Sequence, residues 1–162
     1  MPWFRIIILS TLCLIAACSS SVDGPSNDPA DYEVDSSLNY TLQVSEPRWV
    51  IPSDAIPVAI DVQESNNNVD IAYFDGRLFM AWRTGPTHFA SDDPQMHVMS
   101  STDDGATWEF EHTIDLDTDL REPRLIAFQG ELQLLFFQAG VIMTAFEPQR
   151  ILRTWRNGFQ DW

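Results

Sequence analysis

An internal repeat of 54 residues constrains the fold of this 162-residue chain more than any other feature of its sequence. A shift of 54 positions aligns two stretches without a gap, and seven matches fall in register at special residues. They pair Phe74 with Phe128, Gly76 with Gly130, Leu78 with Leu132, Asp93-Pro94-Gln95 with Glu147-Pro148-Gln149, Ser100 with Thr154, Asp103 with Asn157, and Trp108 with Trp162. Repetition at about this period is typical of folds built from stacked supersecondary units. We therefore expect two copies of one unit, at about 67–114 and 121–162.

Each unit predicts β structure. The pairs Asp75-Gly76 and Gln129-Gly130 lie between apolar, β-rich runs, which is a strong local signal for a hairpin. The predicted strands are 71–74, 77–83, 96–101 and 107–114 in the first unit, and 124–128, 131–138 and 150–155 in the second. No window keeps a period of 3.6 residues, so little helix is expected. Four strands in a repeat of about fifty residues are typical of a β-propeller blade. The predicted fold is all-β, with about two four-stranded antiparallel blades of an incomplete propeller.

Two blades cannot close a ring, and an open propeller leaves strand edges exposed. We therefore expect residues 39–162 to be part of a larger propeller, in an N-terminal fragment of a longer protein. The alternative is a small protein in which residues 39–62 complete a flattened β-sandwich.

The turn at 101–108 carries a distinct pattern, Ser-x-Asp-x-Gly-x-Thr-Trp, and matches it at every fixed position. The Asp103 carboxylate and the hydroxyls of Ser101 and Thr107 can satisfy backbone N–H groups of the turn. Gly105 can adopt a positive φ, and the ring of Trp108 can pack between blades. This pattern resembles the Asp-box of sialidases and related propellers, in which it is a structural turn away from the active face. The second copy keeps only Asn157, Gly158 and Trp162.

Connectivity predicts where chemistry lies. In an up-and-down blade the short turns share one side, and the longer loops share the other. The longer loops are 84–95, 115–123 and 138–149. Functional residues concentrate on longer loops held by a rigid scaffold, so the candidate site belongs on that side.

The first candidate cluster is the stretch Arg83–Asp93. The resemblance to sialidases implies a general acid/base Asp in this loop, which Asp92 or Asp93 would match, with Asp92 preferred. A carboxylic acid acts in this way when burial raises its pKa. Arg83 and His88 are candidate substrate-binding residues, His88 as a donor or proton shuttle. The alternative is a solvated acidic loop.

The second cluster is Arg121-Glu122-Pro123-Arg124, where Arg121, Glu122 and Arg124 are candidate substrate-binding residues. Two Arg side chains beside a Glu suit a carboxylate ligand. The cluster resembles the Arg-Ile-Pro element of sialidases, whose Arg helps to clamp the sialic-acid carboxylate. It also resembles the Arg-Asp-Pro element of the invertase and arabinanase clan. The alternative is a salt bridge within one blade.

The third cluster is the equivalent stretch of the first unit, Asn66–Asp70. The resemblance to the invertase-type clan implies a nucleophile or base near this point, for which Asp70 is the candidate. Sialidases have an Arg here, whereas this chain has Asn67 and Asn68. Other catalytic residues of that family belong to later blades.

The N-terminus predicts export. Residues 6–17 form an apolar run, too short for a membrane span but typical of a secretory signal. The run ends in Ile15-Ala16-Ala17-Cys18, which resembles the bacterial lipobox and implies a signal peptide at 1–17 and lipidation of Cys18. Ser19 is similar to the sorting residue of outer-membrane lipoproteins, so an outer-membrane or cell-surface location is expected. Residues 18–38 predict a disordered acidic tether. The alternative is an ordinary signal peptide with an accidental Cys.

The composition of the chain excludes several classes of binding partner. A net charge of −15 and a pI near 4.2 argue against binding nucleic acid or anionic lipid through bulk charge. The three His show no paired ligand spacing, and neither Cys13 nor Cys18 is free to help, so no metal is expected. No cofactor motif is present.

The resemblance implies that the intact protein is a sialidase-like exo-glycosidase acting on extracellular glycans. A chain with only two blades is expected to be inactive. The alternative is a non-catalytic surface propeller that binds glycan or protein partners.

Overall fold

The computed structural model describes residues 37, 39, 41, 44 and 46–162. The predicted signal peptide, Cys18 and almost all of the tether at 18–38 lie outside the described residues. By its internal contacts the chain divides into Met1–Thr41 and Leu42–Trp162, and all the strands below belong to the second unit. No helix in the described part is long and apolar enough to cross a membrane.

The described residues form seven β-strands and no helix. The strands are β1 (Ser65–Phe74), β2 (Arg77–Gly85), β3 (Gln95–Ser101), β4 (Glu109–Ile114), β5 (Asp119–Phe128), β6 (Glu131–Ala139) and β7 (Pro148–Trp155). They make two antiparallel sheets, a first sheet of order β1-β2-β3-β4 and a second sheet of order β5-β6-β7. The all-β prediction is confirmed. The two sheets are not closed into a ring.

The repeat is visible in the backbone. β1 and β5 begin and end 54 residues apart, and so do β2 and β6. Both sheets carry a β-bulge at the same place, between Asn67 and Asp70 in the first and between Arg121 and Arg124 in the second. At both turns after these strands the two central residues have positive φ, 47° and 72° at Asp75-Gly76 and 51° and 80° at Gln129-Gly130. This is the type I′ geometry that suits a two-residue hairpin, so the predicted hairpins are confirmed.

The first strand of each sheet starts earlier than predicted. β1 begins at Ser65 rather than at residue 71, and β5 begins at Asp119 rather than at residue 124. The bulge explains the difference, because it lets a polar stretch without strict alternation stay paired in the ladder. The candidate clusters at 66–70 and 121–124 therefore lie inside strands.

The third strands depart from the repeat by one residue. Met80 pairs with Met99 in the first sheet, whereas the equivalent Leu134 pairs with Thr154, which is 55 residues later than Met99. A register shift between Gln138 and Ala139 absorbs the extra residue. Alternate side chains of a strand point to opposite faces, so this slip decides which side chains of β7 face inward.

The main core lies between the two sheets. The first sheet contributes Phe79, Ala81, Met96, Val98 and Ile114, and the second sheet contributes Leu120, Leu125, Leu132, Leu134 and Phe136. Each of these side chains is less than 9% exposed. Burial of these side chains between the two sheets stabilises the fold by about 25 cal/mol per Å² of apolar area removed from water.

A second core covers the other face of the first sheet. Ile60 and neighbouring apolar residues of segment 50–62 pack on Trp82, Met99 and Trp108. The prediction that Trp108 packs between the blades is therefore wrong, because segment 50–62 takes that place. Its repeat partner Trp162 does pack against the core between the sheets. Residues 46–64 form no strand, so they cover the sheet without completing a sandwich.

Candidate functional site

Two of the longer loops and the start of β5 converge on one pocket of about 240 Å³. Its lining residues are His88, Phe89 and Ala90 from the β2–β3 loop, Arg121 from β5, and Met143 and Phe146 from the β6–β7 loop. The prediction that these long loops lie together on one side is confirmed. The pocket combines apolar walls with one cation.

Arg121 is the cation of this pocket, and its side chain is 10% exposed. Its Nε donates to Asp119 Oδ2 at 2.7 Å, and its Nη2 donates to the carbonyl oxygen of His88 at 2.9 Å. The guanidinium carbon lies 5.4 Å from the centre of the Phe146 ring. These contacts leave Nη1 without an acceptor among the residues that the structure describes. Arg121 is thus fixed in position and keeps donor capacity for an anion.

Asp119 holds Arg121 in place. Its carboxylate is fully buried and bridges two arginines, because Oδ1 accepts from Nε and Nη2 of Arg83 at 3.1 and 3.0 Å while Oδ2 accepts from Arg121. A buried carboxylate is tolerated only when it is paired in this way. Asp119 therefore acts as the positioning residue of the pocket.

The side chain of Arg83 has no exposed surface. Besides Asp119, it donates to the carbonyl oxygens of Thr87 and Phe89 at 3.2 and 3.3 Å. Burial lowers the pKa of Arg83, and the Asp119 carboxylate opposes that shift. Arg83 is not among the residues that line the pocket, and in this arrangement it holds the loop that carries Phe89.

The acidic candidates lie elsewhere. Asp92 is exposed and does not line the pocket, so the burial on which its predicted acid role depends is missing. Asp70 accepts a hydrogen bond of 2.8 Å from the backbone N–H of Leu125, so its carboxylate links β1 to β5. His88, by contrast, does line the pocket, as the prediction of a substrate-binding role requires.

The structure separates the two arginines of the second cluster. Arg124 is exposed and lines a different pocket, on the outer face of the second sheet, together with Glu122. Arg124 Nη2 lies 3.6 Å from Glu122 Oε2, which matches the alternative of a salt bridge within one unit. Glu122 also accepts from Nδ2 of Asn68 at 2.6 Å, so the two bulges contact each other. The paired-arginine clamp suggested by the sequence is not assembled.

The turn at 101–108 has the hydrogen bonds that its residue types predict. Ser101 Oγ accepts from the N–H of Gly105 at 2.7 Å, and Asp103 accepts from the N–H and hydroxyl of Thr107 at 2.8 and 2.7 Å. Several hydrogen bonds lower the pKa of Asp103 to about 2, and the bond from the Thr107 backbone N–H has the largest effect. Gly105 has φ of 77°, and a Cβ there would lie 2.9 Å from the Trp108 ring. The turn is a structural device.

Sequence reasoning missed Asp119, Phe89 and Phe146. The signal for Asp119 was available: in a strand, residues two apart share a side, so Asp119 would stand beside Arg121 once β5 is extended. No local pattern pointed to the two aromatic residues, because they come from loops that meet only in the fold. In the described part, no group of three or more His, Cys, Asp or Glu side chains is placed to hold a metal ion.

No family model, curated protein or solved structure matches the chain. The resemblance to sialidases therefore depends on the sequence patterns described above.

Proposed function

We propose that this protein binds a ligand that carries a carboxylate, such as an acidic sugar of an extracellular glycan, in the Arg121 pocket. One observation carries the proposal: Arg121 is held by Asp119 and the His88 carbonyl, yet Nη1 keeps no acceptor among the described residues. Guanidinium groups bind carboxylates strongly through charge-assisted hydrogen bonds. Phe89 and Phe146 offer the apolar faces that a ligand ring packs against.

The size and lining of the pocket favour binding over catalysis. About 240 Å³ lies just below the ~300 Å³ at the lower end of ligand pockets, which suits one sugar ring rather than an oligosaccharide. Glycoside hydrolysis generally needs two carboxyl groups flanking the scissile bond. The lining includes no Asp or Glu, since Asp92 is exposed and Asp70 is bonded to the Leu125 N–H.

Calorimetric titration with N-acetylneuraminate and with its uncharged methyl ester tests this proposal. The acid should bind, and the ester should bind about 10–100-fold more weakly, because a hydrogen bond to a charged group contributes about 1.5–3 kcal/mol. Glucuronate and its ester, tested in the same way, would show whether any acidic sugar suffices.

The matched variants are Arg121→Gln and Arg124→Gln. Arg121→Gln should weaken the acid to the level of the ester, whereas Arg124→Gln should bind as the wild type does, because Arg124 lines another pocket. Arg121→Lys keeps the charge and serves as the second variant if Arg121→Gln is poorly folded. Equal binding of acid and ester would contradict the proposal.

A sialidase-like exo-glycosidase is the second candidate. The observation that favours it is the complete turn at 101–108, with its hydrogen bonds among Ser101, Asp103, Gly105 and Thr107, which resembles the Asp-box of that family. The Asp92 loop also borders the pocket through His88 and Phe89. We expect little or no hydrolysis of a fluorogenic sialoside by purified residues 18–162. Turnover that Asp92→Asn abolishes would favour catalysis over binding.

The proposal also covers how the two sheets are arranged and where the protein is located. We infer that the two sheets are stacked as blades of a propeller, in a lipoprotein anchored through Cys18 at the outer membrane or cell surface. The 54-residue repeat and the lipobox-like sequence support it. Labelling of the expressed protein with a palmitate analogue should be abolished by Cys18→Ala and retained in Cys13→Ala, which alters the other cysteine of the chain.

A further inference from the structure

A second pocket, of about 190 Å³, lies where segment 50–62 meets the first sheet. Four of its six lining residues are mainly apolar and two are amides, and none carries a charge. The lining residues are Ile51, Val69, Met80, Trp82, Asn66 and Asn67. We call it the neutral pocket. It shares no lining residue with the Arg121 pocket, so the two can be tested separately.

The amide of Asn66 is engaged at both ends. Its Oδ1 accepts from Nε1 of Trp82 at 3.3 Å, and its Nδ2 donates to the carbonyl oxygen of Gln63 at 2.9 Å. These two bonds fix Asn66 and the indole of Trp82 in the lining of the pocket. Two polar groups of the pocket are thus already satisfied within the protein.

The amide of Asn67 is engaged at one end. Its Nδ2 donates to Ser65 Oγ at 3.0 Å, whereas its Oδ1 is buried and has no donor among the residues that the structure describes. A buried acceptor without a partner is costly, and native proteins leave few of them. The Asn67 oxygen therefore calls for a donor from outside the described chain.

A water molecule is a poor donor for this position. An ordered buried water makes about three hydrogen bonds, and it is stable only where several polar partners surround it. Here the amide of Asn66 is already engaged, and the other walls are mainly apolar. A molecule with one donor on an apolar body matches this lining better than water does.

The repeat gives a parallel. Asn67 is the equivalent of Arg121, and each is held by the side chain two residues earlier, Asn67 by Ser65 and Arg121 by Asp119. Each also keeps one polar atom without a partner among the described residues, an acceptor on Asn67 and a donor on Arg121. The same position of the bulge thus presents opposite hydrogen-bonding capacities in the two sheets.

We propose that the neutral pocket binds a small uncharged alcohol. Its hydroxyl donates to Asn67 Oδ1, and its apolar body packs against Met80 and Trp82. An anion finds no cation in this lining and a cation finds no carboxylate, so a charged ligand would be buried unpaired. The volume lies below the ~300 Å³ at the lower end of ligand pockets, so the ligand is no larger than a single ring.

Titration of the protein with cyclohexanol and with cyclohexanone tests the proposal. The two molecules have similar rings, but only the alcohol has a hydrogen to donate. Methyl NMR resonances of Ile51, Val69 and Met80 report on three walls of the pocket. Cyclohexanol should shift them saturably with a dissociation constant in the millimolar range, and cyclohexanone should bind about 5–10-fold more weakly.

Variants of Asn67 test the hydrogen bond. Asn67→Leu removes the acceptor and should bring the alcohol to the level of the ketone. Asn67→Asp keeps an acceptor, because Ser65 Oγ can donate as well as accept, and should retain the preference for the alcohol. Arg121→Gln should bind cyclohexanol as the wild type does, which separates this site from the Arg121 pocket.

A second pair of variants does not alter the buried amide. Val69 is 54% exposed and lines the pocket, so Val69→Phe should obstruct it and weaken cyclohexanol at least 5-fold. Ile71→Phe is the matched control, because Ile71 is 60% exposed on the same strand and does not line the pocket. Both variants are expected to fold, and urea unfolding checks this.

Three results would overturn the proposal. The first is the absence of saturable shifts up to about 50 mM cyclohexanol, which would leave water as the partner of Asn67. The second is equal binding of the alcohol and the ketone by the wild type. The third is an equal loss of binding in Ile71→Phe and Val69→Phe, which would place the ligand outside the neutral pocket.

Discussion

The two sheets share a backbone plan but differ in what surrounds them. Both contain the same type I′ hairpin and a bulge at equivalent positions. The first sheet is covered on one face by segment 50–62 and on the other by the second sheet, whereas the second sheet has an open outer face. The repeat therefore sets the conformation of the chain, while the cover over each face depends on residues outside the repeat.

The two bulges differ in charge. Ser65 and Asn67 of the first sheet are replaced at equivalent positions by Asp119 and Arg121 in the second. Near the first bulge, a pocket of about 190 Å³ is lined by uncharged residues, Ile51, Asn66, Asn67, Val69, Met80 and Trp82. The same backbone feature thus borders a neutral pocket in one sheet and an anion-binding candidate in the other.

The largest expected difference between the sheets is the loss of unfolding free energy when the buried carboxylate of Asp119 is removed. Asp119→Ala leaves Arg83 and Arg121 without their shared carboxylate and should cost about 3–5 kcal/mol in the free energy of unfolding. Ser65→Ala, at the equivalent position, removes the Ser65 hydroxyl that accepts a part-buried hydrogen bond from Asn67, and it should cost about 1 kcal/mol or less. Urea unfolding compares them, and equal losses would contradict the role given to Asp119.

The two faces of the second sheet should differ almost as much. Leu134 is fully buried in the core between the sheets, so Leu134→Ala should cost about 2–5 kcal/mol. Ile151→Ala, on the outer face, should change the free energy of unfolding by about 0.5 kcal/mol or less. Both values are measured at low protein concentration. A large loss for Ile151→Ala there would mean that the outer face is already covered within one chain.

Alanine substitutions at two glycines distinguish the cost of backbone strain from the cost of a steric clash. Gly105 and Gly130 both have positive φ, but only at Gly105 would a Cβ meet a ring, that of Trp108. Gly130→Ala should cost about 1 kcal/mol, and Gly105→Ala about 1–3 kcal/mol more. Thermal unfolding of the two variants measures the difference. Equal losses would show that Trp108 moves aside without cost.

The smallest expected effect is a pH dependence confined to the first sheet. Burial lowers the pKa of His97 below 6.5, although Asp61 and Asp115 oppose the shift. A base with a lowered pKa in the folded state contributes stability above pH 6.5 that is lost as the pH falls through its folded pKa. Leu152 takes the register position of His97 in the second sheet. His97→Leu should therefore flatten the decline of urea-unfolding stability below pH 6.5, and an unchanged slope would exclude His97 as its source.

Local chemistry made much of this fold predictable. The hairpins at Asp75-Gly76 and Gln129-Gly130 and the turn at 101–108 depend on residues close in sequence, and all three form as expected. The early starts of β1 and β5 were missed, because a bulge hides the alternation on which strand prediction depends. Trp108 was misplaced because segment 50–62, outside the repeat, competes for its face.

The candidate site was predicted in part. Arg121 and His88 were found because their loops share one side of the predicted unit, and both line the pocket. Asp92 and Asp70 were chosen through resemblance and lie away from it, one exposed and the other bonded to a backbone N–H. Distances across the fold, such as that from Asp119 to Arg83, follow from how the sheets stack and not from any sequence pattern.

Amide NMR shifts during titration with N-acetylneuraminate test the central claim most directly, because they distinguish the two pockets in one experiment. We expect saturable shifts at His88–Ala90, Arg121 and Met143–Phe146, with none at Asn66, Asn67 or Trp82. Arg121→Gln should abolish them. Shifts centred on the neutral pocket of the first sheet, or none at millimolar ligand, would contradict the assignment of an anion-binding site to Arg121.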